Sequence, residues 1–195
     1  LTLTFHEVEK IVASHPDNIV IMDEAYMAFC GKSCMELVKK YDNLLVTRTF
    51  SKSHSLAGLR VGFGIGSKEI IDDLNKLKYS FNPYNLNTLS IKAAAAAIAD
   101  NEYYDDKIAQ IVETREKTIA DLRALGFNCT DSKANFIFAS SDKISAAELA
   151  AQLRQKGILI RYFNKPKIDN YLRITVGSAE DMQTLVDSIK EITEK

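Results

Sequence analysis

The sequence predicts an α/β fold, a mostly parallel sheet with helices, followed by a small α+β unit. Three observations predict it. Ile19-Val20-Ile21-Met22 is a short continuous apolar run closed by Asp23-Glu24, as in a strand buried on both faces of a parallel sheet. Strand-like and helical patterns alternate through the first eighty or so residues. After two long helical stretches, short strands and helices crowd residues 127–193.

The elements follow in order. A helix is expected over 4–14, with Thr4 and Glu7 spaced as a capping box. A strand at 19–23, a short helix near 33–40 and strands at 44–48 and 61–66 come next, then a helix at 68–78. Phe81-Asn82-Pro83-Tyr84-Asn85 breaks the chain. Helical patterns cover 86–99, where Ala93 to Ala97 permits close packing, and 102–125, which stops at Gly126. Strands at 127–130 and 135–139, a helix at 145–156, strands at 158–163 and 171–176 and a helix at 179–193 complete the chain. The expected organisation is therefore 1–101, a linking helix 102–126, and a small C-terminal domain 127–195.

Composition excludes several classes. With 195 residues, 46% hydrophobic and 26% charged, and net charge −1, the chain is globular and lacks the basic footprint of a nucleic-acid binder. No apolar run approaches a membrane span, and no secretory leader pattern is present. Cys30, Cys34 and Cys129 form no disulfide framework, which points to a reducing, cytoplasmic setting. His6, His15 and His54 do not cluster into a metal site. Gly62-Phe63-Gly64-Ile65-Gly66 has the wrong spacing for a dinucleotide fingerprint and reads as strand.

The chemistry concentrates in Thr49-Phe50-Ser51-Lys52-Ser53-His54-Ser55-Leu56-Ala57-Gly58-Leu59-Arg60-Val61-Gly62. A lysine amine with a lowered pKa forms Schiff bases with carbonyls. The hydroxyls of Thr49 and Ser51, with Arg60 eight residues after Lys52, suit a phosphate. A carbonyl and a phosphate on one small molecule describe pyridoxal 5'-phosphate (PLP). Asp23, at the carboxyl end of its strand, could pair from a buried position with a pyridinium nitrogen, and Tyr26 could hydrogen-bond the ring hydroxyl. The alternative for Asp23-Glu24 is a cap on a following helix. Arg173, in an otherwise apolar and β-branched strand, is either a snorkelling residue or the partner of a substrate carboxylate. Arg161 has the same local logic, with a structural role equally open. Asn135 is a turn residue or a group near the site, and His54 reads as an exposed loop residue.

Asp23-Glu24-Ala25-Tyr26, the Thr49–Gly62 run, Ala134-Asn135-Phe136-Ile137-Phe138 and Tyr171-Leu172-Arg173-Ile174-Thr175-Val176-Gly177 occur in that order along nearly the whole chain. In these segments the chain resembles the fold-type-I PLP enzymes of the aspartate aminotransferase superfamily, and within it the histidinol-phosphate aminotransferase branch. The resemblance implies the C-terminal part of a PLP-dependent transferase large domain followed by the small domain. An N-terminal portion carrying the phosphate loop, a ring-stacking aromatic and an Asn-Pro-x-Gly motif is expected to precede it. It further implies that Lys52 carries PLP, that Asp23, Tyr26, Thr49, Ser51 and Arg60 contact it, that Arg173 holds a substrate carboxylate, and that Arg161 serves the distal phosphate. Amino-acid and oxo-acid substrates, 2-oxoglutarate and glutamate among them, and a homodimer in the intact protein are implied too. So is a chain with little or no activity by itself.

Overall fold

A computed structural model describes residues 2–194. The chain divides into two compact units, with the division between Asp105 and Asp106.

The first unit opens with α1 (Phe5–Ser14), whose Thr4–Glu7 capping box is formed in full. Strand β1 (Val20–Asp23) pairs in parallel with β2 (Leu44–Thr49), and β2 pairs antiparallel with β3 (Gly62–Ile65), giving the order β1-β2-β3. Only one of the two pairings is therefore parallel, where a largely parallel sheet was expected. The residues of the expected helix near 33–40 form a 3₁₀ turn, Met35–Lys39. One sheet face is dry: Leu44 and Val46, with Val20 and Met22 beside them, pack on Val8, Val12 and Leu37. On the other face the β1 side is open among the described residues, with Ile19 and Ile21 each 62% exposed. The expectation of a strand buried on both faces is thus not met: Ile21 of β1 stands open, although Leu45 beside it in β2 is buried. Between β2 and β3 lies α2 (Phe50–Ser53); α3 (Lys68–Phe81) and α4 (Thr88–Ala99) follow β3. Phe50, Val61, Ala94 and Ala97 form a second small core.

Helix α5 (Asn101–Ala124) crosses the division in sequence and ends at Gly126, whose φ of +90° suits a residue without a Cβ. The second unit is an antiparallel sheet of order β4-β5-β7-β6, built from β4 (Phe127–Cys129), β5 (Phe136–Ser141), β6 (Arg161–Tyr162) and β7 (Tyr171–Thr175). Helices α6 (Ala146–Gln155) and α7 (Ala179–Thr193) supply Leu149, Leu153, Leu185 and Ile189 to a core with Ile137, Ala139, Leu172 and Ile174. Ile119 and Leu122 of α5 belong to that core as well. No helix among the described residues is long and apolar enough to cross a membrane.

Candidate active site

Lys52 sits in α2, one helical turn inserted where β2 ends. Thr49 caps it: its Oγ1 accepts the Ser51 N–H at 3.1 Å and lies 2.9 Å from Ser51 Oγ. The turn is fixed from below by buried Phe50, whose N–H donates to Val61 O at 3.1 Å. The loop that follows it is tied to α4 by Ser90, whose hydroxyl donates to Leu59 O at 3.1 Å. Lys52 is half-buried, and its Nζ lies 5.6 Å from the centre of the Tyr26 ring. Gly62, opposite Thr49 in the sheet, is required by close approach: a Cβ there would stand 2.7 Å from Arg48 O.

Asp23 is the last residue of β1, level with Thr47 of β2. Alternation along the strands puts Asp23, Thr47 and Thr49 on the open face. Its carboxylate accepts the Ala25 N–H at 2.9 Å and is exposed, not buried as expected, because the face it stands on is open. This bond closes a local turn; the 3₁₀ turn that follows, Met27–Phe29, takes no side-chain cap, so the helix-cap alternative fails. The next residue, Glu24, points the other way. Its side chain is 3% exposed and accepts from Ser33 Oγ at 2.7 Å, Cys34 N at 2.6 Å and Arg48 Nε at 3.0 Å. Burial and the Glu24 charge push the Cys34 thiol pKa up.

The loop after Lys52 is bracketed by two non-glycine residues in the left-handed region, Ser55 and Arg60, both with φ 56°. Arg60 is exposed, and its Nη1 donates to Ala57 O at 3.1 Å. His54 is not an exposed loop residue. It is half-buried, with its ring 5.0 Å from Phe50 and 4.7 Å from Tyr104, and its Nδ1 is 2.8 Å from Ser53 Oγ. Burial holds its pKa below the ordinary imidazole value, assisted by the nearby Arg48 charge and opposed by Asp105.

In the second unit, Arg173 and Arg161 are register partners on β7 and β6, and Phe138 of β5 completes the row. Each guanidinium lies over an aromatic ring: Arg173 at 4.1 Å from the centre of Phe136, and Arg161 at 5.0 Å from that of Phe163. A guanidinium over a ring face is attracted by the ring's negative face, which helps to hold each arginine in place. Asn135 is half-buried just before β5, and its carbonyl accepts the Val176 N–H at 3.0 Å. Buried Arg115 of α5 donates to the neighbouring Ala134 O at 2.9 Å, which fixes that turn. Sequence reasoning missed Glu24's network, Arg115 and the aromatic beds. Only the residue types were visible there, not the packing that joins them.

Comparison with known proteins shows the family to which these segments belong. The sequence profile of the family "Aminotransferase class I and II" matches residues 1–189, and the chain belongs to that family. The histidinol-phosphate aminotransferase of Brachyspira hyodysenteriae is 51% identical over 193 residues, 98% of this chain and 54% of that protein. Among solved structures, the histidinol-phosphate aminotransferase of Clostridium acetobutylicum superposes with a TM-score of 0.88 at 24% identity, over 98% of this chain and 60% of that one. That of Sinorhizobium meliloti, solved in complex with PLP, superposes at 0.79 with 23% identity, over 95% and 52%. The chain thus spans about half the length of the curated relatives it matches.

Proposed function

We propose that the protein containing this chain transfers the amino group of histidinol phosphate to 2-oxoglutarate, giving imidazole-acetol phosphate and glutamate, with PLP as cofactor. The observation that carries the reading is Lys52 on its hydroxyl-capped turn, with its amine over Tyr26 and Asp23 at the adjoining strand end. The donor set fits the cofactor: an amine for its aldehyde, a carboxylate for its ring nitrogen, a phenol for its ring hydroxyl, and hydroxyls with an arginine for its phosphate. When bound, PLP supplies an electron sink that stabilises negative charge on the substrate carbon.

The chain's own residues divide the remaining work. Lys52 Nζ would hold the cofactor through its aldehyde and, when free, would act as the base and acid that moves a proton at the substrate carbon. The Asp23 carboxylate keeps the ring nitrogen protonated, and the Tyr26 hydroxyl hydrogen-bonds the ring oxygen. Thr49, Ser51 and Arg60 anchor the phosphate. Arg173 takes a substrate carboxylate, Arg161 the distal phosphate, and Asn135 orients groups beside them. Two guanidiniums opposite each other on neighbouring strands support a substrate with anionic groups, since both can bond one anion.

The same reading includes an organisation of 1–101, 102–126 and 127–195, a cytoplasmic setting and a homodimer. Strongly exposed apolar side chains on and between α3 and α4, with Phe81 at 93% and Tyr84 at 91%, supply surface for further packing. Light scattering tests the dimer. The site is tested by adding PLP, reducing with borohydride and mapping the labelled peptide. Label on Lys52 is expected, and Lys52→Ala should lose it with its circular dichroism unchanged. Label elsewhere, or label retained by that variant, would refute the site. A panel of amino-acid donors then separates histidinol phosphate from aromatic or acidic substrates.

A further inference from the structure

We infer that Glu24 is a positioning residue for Asp23: its buried carboxylate locks the end of β1, and through it the direction in which Asp23 meets the cofactor ring. The inference rests on the proposed PLP site.

Asp23 and Glu24 are consecutive at the end of an extended strand, so they leave it on opposite sides. The Glu24 N–H donates to Thr47 O at 2.9 Å, which carries the β1–β2 pairing one residue past the strand. Its side chain then joins three segments by accepting from Ser33, Cys34 and Arg48. Both oxygens are engaged, Oε1 by the Cys34 amide and Oε2 by the Ser33 hydroxyl and the Arg48 guanidinium. A carboxylate held by three donors from different segments has little freedom, and neither does the backbone that carries it. The Arg48 partner belongs to β2, one residue before the Thr49 cap of the lysine turn, and its charge is felt by His54, two residues after Lys52. One ion pair, with its carboxylate buried, therefore ties the strand that presents Asp23 to the strand that leads into the Lys52 turn.

A purely architectural Glu24 would influence Asp23 no more than any other ligand contact, so the test is a double-mutant cycle. PLP is titrated into the 195-residue chain carrying no change, Glu24→Gln, Asp23→Asn or both. Affinity is read from visible absorbance, with the Lys52 adduct verified by borohydride trapping. Glu24→Gln keeps the shape but faces an N–H donor toward Arg48. It is expected to weaken PLP binding about tenfold, within the coupling range for residues sharing one hydrogen-bond network. In the Asp23→Asn background the same change should have almost no effect. An equal loss in both backgrounds, or no loss in a variant that melts like the parent, would overturn the inference. Should Glu24→Gln not fold, Ser33→Ala removes one donor from the same carboxylate. A smaller loss that again requires Asp23 is expected, and one independent of Asp23 would overturn the idea. Absence of a Lys52 adduct in the unchanged chain moves the same titration to the full-length protein, where a missing adduct would bring down the cofactor reading itself, and the inference with it.

Discussion

Arg161 and Arg173 face each other across β6 and β7, and like charges so placed cost about 0.2–1 kcal/mol. Replacing Arg161 with glutamine removes that repulsion. It also removes the guanidinium from over Phe163, a contact worth about 0.5–1 kcal/mol at an exposed site. The two effects oppose each other and are similar in size, so stability without an anion should change by less than about 0.5 kcal/mol. Phosphate alters the comparison. At ten times its dissociation constant, an anion bound only by the folded chain stabilises by about 1.4 kcal/mol. For a chain of this length that raises the melting temperature by about 3–6 °C. Thermal unfolding is followed in phosphate and in chloride of matched ionic strength. The parent should gain those degrees in phosphate, while Arg161→Gln, left with one arginine, gains less than about half. Equal gains in both proteins would refute a shared anion site and reduce the arginine pair to a surface accident.

Ser55 is exposed and left-handed, so Ser55→Gly loses no packing and relieves a conformation that costs about 1 kcal/mol; a higher denaturation midpoint is the expected result. Leu153 is fully buried in the core of the second unit, and Leu153→Ala should cost about 2–5 kcal/mol in denaturant unfolding. The His54 pKa is lowered in the folded chain, so the unfolded chain takes its proton first. The His54 contribution is complete above about pH 6.5 and is lost as pH falls through the depressed folded value. Melts between pH 7.5 and pH 5 should show a smaller acid loss for His54→Phe, which keeps the ring stack. With Asp23 exposed, its attraction for a cationic ring is screened by salt, so pyridoxal, which has no phosphate, should bind less tightly as sodium chloride rises. In Asp23→Asn that salt dependence should shrink.

Much of the fold is legible in local chemistry. The Thr4–Glu7 capping box, the stop at Gly126 and the final helix over 179–193 all follow from signals within a few residues. The failures are places where distant packing decides. The run Ile19–Met22 reads as buried on both sides, yet its second face is open, because periodicity reports apolarity and not what covers it. The stretch 158–163 reads as one strand, but Ile158 and Ile160 give their side chains to the core while only Arg161 and Tyr162 join the ladder. His54 looked like loop because its aromatic neighbours lie four residues before it, at Phe50, and fifty residues after it, at Tyr104.

The site depends on the same distinction. Asp23 and Glu24 are adjacent carboxylates, and nothing in their residue types says which one meets a ligand. Environment assigns the roles, as it does wherever two carboxylates share a site. Glu24 is excluded as a ligand group because both its oxygens are held by internal donors, one of them an arginine that compensates the buried carboxylate. Asp23 stands on the open face with its charge in water, so turning toward a cation costs it little desolvation. The arginines sort in the same way. Arg48 and Arg115 are committed to Glu24 and to the Ala134 carbonyl, whereas Arg161 and Arg173 lie over the rings of Phe163 and Phe136. What a charged group touches therefore decides which chemistry is open to it, a property that the sequence does not carry and the packing does.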